Sequence, residues 1–321
     1  MGTAREATPF GVPADRPTGP WHAALPYTSP TDLGHTLALG FADRVMDGDR
    51  VIAVLDDAAG QQLRESLGSA ADGVQFPDPR TVHAVPGFTT AARWARTGRE
   101  LSTPEARTWI VGQQLLDMPG CGPDYWLRLC AGLEVAMAGL PVTVLCPHRD
   151  TPAERSRVER THPVLATTNG CHPNPAYRPP AEVLRGQPEP PRPDLGEPTA
   201  ELVFRTGLGA VRRLTSTLAE RAGMGPDRAA DAVLAVNELA SNTFEHGAGI
   251  GRLRLWAGDG LRAEVSDGGR LTDPFPGLVH PAPGSPRGRG LWLASELSDV
   301  MEVWADRDGT TIRLSWSGQH D

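Results

Sequence analysis

The apolar positions in the first half of the chain follow two different spacings. Steps of three and four residues predict helices over residues 33–46, 60–67, 89–101 and 125–138. Short, nearly continuous apolar runs predict strands over residues 50–55, 108–112 and 141–145. Strands that alternate with helices in this order are typical of a parallel sheet covered by helices. The first half is therefore predicted to be a parallel α/β domain.

The second half has a different order of elements. A short strand is followed by two helices, and two further strands flank a long loop and a last helix. The predicted elements are a strand over 202–205, helices over 208–222 and around 238, a strand over 262–267, a helix over 291–297 and a final strand over 312–316.

A proline-rich stretch separates the two halves. The stretch from Arg178 to Pro198 is dense in proline, which opposes both helix and central strand. A chain of 321 residues is long enough for two cores. We therefore expect a domain over residues 1–178, a linker over 179–198 and a second domain over 199–321.

Charge and composition exclude several classes of protein. The net charge of −8 argues against nucleic-acid binding, which needs a basic face. All 31 basic residues are arginine, which we attribute to a GC-rich coding bias, and a phosphate-binding P-loop is excluded because it requires lysine. Without a bilayer-length apolar run or a signal-peptide core, the protein is expected to be cytoplasmic and not bound to a membrane.

The cysteines fall in the first domain. Cys121, Cys130, Cys146 and Cys171 form no close pair of the Cys-x-x-Cys type that marks a metal site. Reduced structural thiols are therefore expected. Cys121 lies between glycines and prolines and is the thiol expected to be exposed.

A polar stripe runs along the helix around residue 238. Glu238, Asn242 and His246 follow one another at steps of four residues and so share a face. The opposite side of this helix is apolar, which indicates burial. The stripe is therefore expected to line the mouth of a pocket.

Two glycine motifs follow the stripe. A strand runs into Asp267-Gly268-Gly269, and a loop rich in proline and glycine, residues 270–287, is long enough for a lid. Gly288-Arg289-Gly290-Leu291 then opens a helix, where free backbone amides favour an anion such as phosphate.

Together, the Glu-x-x-x-Asn pair, Asp-x-Gly, the long loop, Gly-x-Gly-Leu and Asp308-Gly309-Thr310-Thr311 resemble the ATP-binding domain of the GHKL (HATPase) superfamily. The resemblance covers about residues 198–317 and is most similar to the RsbW-like anti-sigma-factor serine/threonine kinases. It implies the GHKL (Bergerat) α/β sandwich fold, ATP and Mg²⁺ as ligands, and a homodimer.

The resemblance also implies roles for single residues. Asn242 would supply a side-chain oxygen to Mg²⁺, a hard cation that prefers oxygen ligands. Glu238 would act as the general base toward a Ser or Thr hydroxyl. Asp267 would accept a hydrogen bond from the adenine amino group.

The glycines would bring backbone close to the nucleotide. Gly269 would lie against the base, and the amides of Gly288 and Gly290 would reach the phosphates. Thr310 would support the adenine end from the neighbouring strand.

The same motifs assign His246, Arg289 and Leu291 to ATP binding. Two positions depart from the family pattern. Leu271 replaces a second glycine, and Glu245 replaces a basic residue and would repel triphosphate unless it faced solvent.

The first domain resembles the MEDS sensory domain of DcmR-like regulators. The resemblance rests on residues 22–27, 48–54, 145–150 and 161–163. It implies a RecA-like parallel α/β sheet without a P-loop, with a role in sensing or partner binding. His22, Tyr27, Cys146 and His148 are the candidate pocket residues, and the alternative is that they are structural.

The combined resemblance implies a regulatory protein of actinobacterial type. Its kinase domain would phosphorylate a STAS-domain anti-anti-sigma partner and so control a sigma factor. Arg212 and Arg213 are candidate partner contacts, and their alternative is a solvated helix face. A binding module without kinase turnover and a scaffold without nucleotide are the alternative functions. A sensor histidine kinase is disfavoured because the proline-rich stretch leaves no room for a dimerising helix.

Overall fold

The computed structural model describes residues 21–103, 105–168, 170–247, 249–282 and 289–318. The chain divides into two compact units, Met1–Arg185 and Gly186–Asp321. Within the described ranges, no helix combines the length and the apolar composition that spanning a membrane requires.

The first unit alternates strands and helices. Its elements in chain order are β1 (Trp21–Tyr27), α1 (Pro30–Met46), β2 (Arg50–Val54), α2 (Asp57–Leu67), a 3₁₀ helix (Gly68–Gly73), β3 (Val74–Gln75), α3 (Pro79–Val82), α4 (Gly87–Leu101), β4 (Thr108–Gly112), α5 (Pro123–Ala136), β5 (Val142–Arg149), α6 (Pro152–Val158), β6 (Val164–Thr167), β7 (Gly170–Pro173) and α7 (Pro180–Leu184).

These strands form one sheet in the order β3-β2-β4-β5-β1-β6-β7. Every neighbouring pair is parallel except β6 and β7. The predicted parallel α/β domain is confirmed. The helices α1 and α2 begin earlier than their apolar pattern because Ser29 and Asp56 cap them, and polar capping residues lie outside such a pattern.

Strand β1 lies in the interior of the sheet, and its segment is the one in which His22 and Tyr27 were expected either to line a pocket or to be structural. It pairs with β5 on one side and β6 on the other. Pro26 lacks an amide hydrogen and His22 is polar, so the segment does not read as a buried strand. Pro26 is placed near the end of the strand, opposite His148.

The second unit is an antiparallel sheet with helices on one face. Its elements are β8 (Ala200–Phe204), α8 (Gly209–Arg221), α9 (Pro226–Glu245), β9 (Gly251–Gly258), β10 (Gly260–Asp267), α10 (Arg289–Leu297), β11 (Val300–Asp306) and β12 (Gly309–Trp316). The strand order is β11-β12-β10-β9-β8. The three helices bury their apolar sides against one face, and the core includes Val236, Leu239, Ala263, Val265 and Leu314.

The other face of this sheet is covered by residues 190–196, which we call the proline strap. Indole N–H groups of Trp304 and Trp256 donate to the carbonyls of Pro190 and Gly196 at 3.0 and 3.1 Å. Arg313 donates to the carbonyl of Pro193 at 3.0 Å. The part of the proline-rich stretch predicted as a linker is therefore bound along the sheet.

A carboxylate lies beneath the strap. Glu264, on β10, is 0% exposed and accepts hydrogen bonds from Arg192 of the strap and from Arg313 and Arg254 of the flanking strands. The distances from Arg192 Nε and Arg313 Nη2 to Glu264 Oε2 are 3.1 and 2.9 Å. Burying a carboxylate is unfavourable unless it is paired, so the three guanidinium groups offset that cost.

Replacing this carboxylate should destabilise the second unit. The variant Glu264→Gln leaves three arginines without their anion, and removing one partner of a buried ion pair costs about 3–5 kcal/mol. The matched control is Glu201→Gln, since Glu201 pairs with Arg252 at 3.2 Å on the exposed part of the same sheet. Its loss should cost less than about 1 kcal/mol in urea denaturation followed by circular dichroism. Equal losses for both variants would contradict a structural role for the buried pair.

Candidate functional site

Helix α9 presents two polar side chains at its carboxyl end. Glu238 and Asn242 lie one turn apart and are half-buried, while Leu239 and Ala240 beside them enter the core. His246 follows the last helical residue as its cap, with φ −129°. Its imidazole is exposed and lies 3.8 Å from the carboxylate of Glu245, which is also exposed.

The start of α10 faces these two side chains. A Cβ atom placed on Gly290 would lie 3.1 Å from Glu238 Oε2 and 3.5 Å from both polar atoms of the Asn242 amide. The absence of a side chain at Gly290 thus lets the first turn of α10 approach the carboxylate and the amide. Arg289 is exposed at the start of this helix and Leu291 packs against the core. Gly288 lies outside the described residues.

Asp267 ends β10 and both of its carboxylate oxygens have a donor. Thr243 Oγ1 donates to Oδ2 at 2.8 Å, and the amide of Gly269 donates to Oδ1 at 2.7 Å. These bonds fix the orientation of the carboxylate. The sequence analysis missed Thr243, although a polar residue in register with the buried side of α9 is a signal that could have revealed it.

Thr310 links β12 to the segment after Asp267. It lies opposite Asp267 in the strand register, its hydroxyl donates to the carbonyl of Gly269 at 2.9 Å, and it accepts from the amide of Leu271 at 3.1 Å. The hydroxyl thereby holds the start of the long loop. Further along, buried Phe275 anchors the described part of the segment predicted as a lid.

Two glycines make the close approach of these elements possible. Gly309 has φ +144°, and a Cβ atom there would lie 2.0 Å from the carbonyl oxygen of Asp267. A Cβ atom on Gly247 would lie 2.9 Å from Oδ1 of the same residue. Any side chain at either position would push Asp267 away from Thr243.

A cavity of about 600 Å³ opens between α9, the end of β10, the start of the long loop and α10. Its polar lining includes Asn242, Asp267, Gly269, Gly290 and Thr310, and its apolar lining includes Leu239, Val265, Leu291 and Ile312. Glu245, His246, Arg270 and Asp273 add charged or polar groups to the lining. A cavity of this volume that combines apolar walls with convergent polar groups is typical of a small-molecule site.

Three of the four candidate pocket residues of the first unit meet on one face of its sheet. His22 Nε2 lies 3.2 Å from Cys146 Sγ, and His148 follows on the same strand as Cys146. Tyr27 belongs to the core on the opposite face, where its hydroxyl accepts from Gln113 at 2.8 Å.

The environment of these three residues changes their pKa values. Burial lowers the pKa of His22, but hydrogen bonds to Cys130 and Glu134 outweigh burial and raise it to about 9. Burial raises the pKa of the Cys146 thiol and lowers that of His148 to about 4, so His148 is neutral at pH 7.

Cys121 is buried, so the expectation that it is exposed was wrong. Its thiol lies 3.8 Å from the carbonyl of His83, and burial raises its pKa. The flanking glycines allow tight turns that tuck the thiol inward. Cys171 is the partly exposed cysteine, and all four cysteines are free.

Arg212 and Arg213 lie in the first half of α8, on the wall of a separate groove between α8 and α9. Both are exposed, and Arg212 Nη1 donates to Asn237 Oδ1 at 3.0 Å. The groove measures about 820 Å³ and includes Leu234, which is 43% exposed. The structure thus places both arginines beside one partly apolar groove.

The second unit matches a known family. Residues 205–316 match the histidine kinase-like ATPase domain, and this stretch is therefore a GHKL-like domain. Among solved structures, the RsbU and RsbW domains of Rv1364c from Mycobacterium tuberculosis align at 23% identity and a TM-score of 0.27. That alignment covers 39% of this chain and 34% of that one, which is about a third of its length. No curated protein matches the sequence.

Removing the hydroxyl that orients Asp267 should destabilise the second unit. Thr243→Val leaves a carboxylate oxygen without its donor, which costs about 1–3 kcal/mol. Thr215→Val is the matched control, because Thr215 is equally buried and its hydroxyl bonds only to the Val211 carbonyl of its own helix. Its change should stay below about 1 kcal/mol in urea denaturation of the full chain. A similar loss for both variants would contradict the orienting role of Thr243.

Proposed function

We propose that the GHKL-like domain of this chain binds Mg-ATP and transfers the γ-phosphoryl group to a Ser or Thr of a STAS-domain anti-anti-sigma partner. The observation that carries the proposal is the close approach of Glu238 and Asn242 to the first turn of α10 at Gly290, which has no side chain. A carboxylate and a neutral amide thus face the amino-terminal end of α10, where free backbone amides favour phosphate.

The adenine end of the proposed site would be formed by Asp267. Thr243 and the amide of Gly269 each donate one hydrogen bond to a different oxygen of this carboxylate. A carboxylate oxygen can accept more than one hydrogen bond, so Asp267 can accept a further one from the base. The adenine amino group is a donor, so a fixed acceptor favours adenine over guanine. Thr310 supports this acceptor through the Gly269 carbonyl.

The phosphate end would be formed by Asn242 and the start of α10. A side-chain amide oxygen suits Mg²⁺, which prefers oxygen ligands and usually retains waters and phosphate oxygens. Bound Mg-ATP would supply the phosphoryl group. Glu238, one turn before Asn242, would orient the acceptor hydroxyl and accept its proton, which requires a carboxylate near the phosphate.

The segment before the domain favours a serine/threonine kinase over a sensor histidine kinase. A histidine kinase needs a long dimerising helix that carries the phosphoacceptor. Between residues 178 and 199 the structure contains the five-residue helix α7 and the proline strap, which is bound to the sheet. His162, before this segment, is fully buried.

A second candidate function is nucleotide-dependent capture of a partner without phosphoryl transfer. The observation behind it is Glu245, an exposed acidic residue at the edge of the cavity where the family pattern has a basic one. The groove beside Arg212 and Arg213 would then hold the sigma factor or STAS partner, with the cations contacting an acidic segment. A homodimer through the second unit is part of both proposals.

Asn242 should control nucleotide affinity. In Asn242→Ala the Mg²⁺ ligand is lost, and an interaction with a charged group is worth about 1.5–3 kcal/mol, so the Kd for Mg-ATP should rise about 10- to 100-fold. Calorimetry on the full chain measures this change. Asn237→Ala is the control, since Asn237 lies on the same helix but lines the other groove. Unchanged affinity in Asn242→Ala would refute the assigned ligand.

Glu238 should control transfer and spare binding. Glu238→Gln keeps the shape and removes the base, so the rate of phosphate transfer to candidate STAS proteins should fall about 10²- to 10⁴-fold while the Kd for Mg-ATP stays within a few-fold. Transfer is measured with radiolabelled ATP. Binding by the wild type without transfer to any STAS protein would favour the capture function instead.

A further inference from the structure

Four side chains that the ATP site does not use meet inside the first unit. His22, Cys130, Cys146 and His162 are all buried, and their possible ligand atoms all lie within 4.8 Å of one another. The set combines two imidazoles and two thiols.

The topology of the sheet assembles this set from distant parts of the sequence. His22 lies on β1 and Cys146 on the adjacent parallel strand β5, where the register places both on one face. Cys130 lies on α5, which covers that face, and His162 lies between α6 and β6. The four residues are spread over more than a hundred positions, so no short motif reveals them.

Both imidazoles are held with one nitrogen turned toward the thiols. His162 Nδ1 lies 2.9 Å from both the carbonyl oxygen of Val158 and Thr161 Oγ1; because the Thr161 hydroxyl itself donates to that carbonyl, both neighbours accept and Nδ1 carries the hydrogen. The lone pair of Nε2 therefore points at Cys130 Sγ, 3.7 Å away. His22 Nδ1 donates to Glu134 at 2.8 Å, and its other ring nitrogen, Nε2, faces Cys146 Sγ at 3.2 Å.

We propose that His22, Cys130, Cys146 and His162 bind one Zn²⁺ ion. A tetrahedral ion with Zn–S bonds of about 2.3 Å and Zn–N bonds of about 2.0–2.1 Å places its ligand atoms about 3.3–3.8 Å apart. The two nitrogen-to-sulfur distances of 3.2 and 3.7 Å lie within or next to this interval. Two thiolates neutralise the dication, which makes its burial favourable.

The surroundings match those of protein zinc ligands. Metal-binding histidines usually donate their second N–H to a carboxylate or a backbone carbonyl, and here Glu134 and Val158 are those acceptors. Gln114 Nε2 lies 3.7 Å from Cys130 Sγ and donates toward the sulfur. Four protein ligands leave no position for water, so the site is structural and joins β1, β5, α5 and the segment before β6.

The first experiment measures metal in the full chain, purified under reducing conditions and reconstituted with Zn²⁺. Elemental analysis by inductively coupled plasma mass spectrometry should find one zinc per chain in the wild type and in Cys171→Ser, whose thiol lies outside the set. Cys146→Ser should hold at least tenfold less zinc. Equal zinc in Cys146→Ser and wild type, or iron or copper in place of zinc in the wild type, would overturn the proposal.

Substitution of Co²⁺ for Zn²⁺ in the wild type provides a second test, which does not depend on whether Cys146→Ser folds. The wild type loaded with Co²⁺ should show the intense visible bands of tetrahedral cobalt and a thiolate-to-cobalt charge-transfer band, and one equivalent of Zn²⁺ should abolish both. A weak octahedral spectrum would overturn the proposal. The proposal would also be overturned if mass spectrometry found a Cys130–Cys146 disulfide and the protein still bound no metal after that disulfide was reduced.

Glu134→Gln tests the positioning of His22. This change keeps the side-chain shape and weakens the hydrogen bond to Nδ1, and losing such an outer partner lowers metal affinity about 10- to 100-fold. Competition for Zn²⁺ against a chromogenic chelator measures this change. Zinc affinity equal to that of the wild type would contradict the carboxylate–histidine–zinc arrangement.

Discussion

The contact between the end of α9 and the end of β10 is the constraint on which the second unit depends. Asp267 accepts from Thr243 of the helix and from the Gly269 amide of its own segment, so one carboxylate fixes the two elements against each other. The approach is possible because Gly247 and Gly309 have no side chain. Moving either element would misplace the cavity wall and the half-buried polar pair on α9 together.

The two units use buried polar groups in a similar way. In each, a side chain at a strand is held by a group from the helix that covers it: Asp267 by Thr243, and His22 by Glu134. A buried polar atom without a partner is costly, so each contact fixes one relative position of helix and strand. Hydrophobic packing alone would let helix and strand shift by a fraction of an ångström. The polar contact fixes their relative position.

The sequence predicted what depends on short-range periodicity. Helices of the first unit and the Glu238–Asn242 pair follow directly from spacing along one helix. The apolar pattern does not show strand β1, whose segment contains Pro26 and the polar His22, and Thr243 was missed because its function depends on a partner 24 residues away. The resemblance pointed to His22 and Cys146 but not to Cys130 and His162, because tertiary contact and not spacing brings the four residues together.

The proline strap changes where the GHKL-like domain begins. Suppose the domain were cut at its first strand, near residue 200, and joined there to another protein. It would lose Arg192 and the carbonyls that accept hydrogen bonds from Trp304 and Trp256. Glu264 would then lose one of its three cations and part of its cover. The folding unit is therefore the sheet with its strap, and a truncation or fusion that preserves the fold should begin upstream of Pro190.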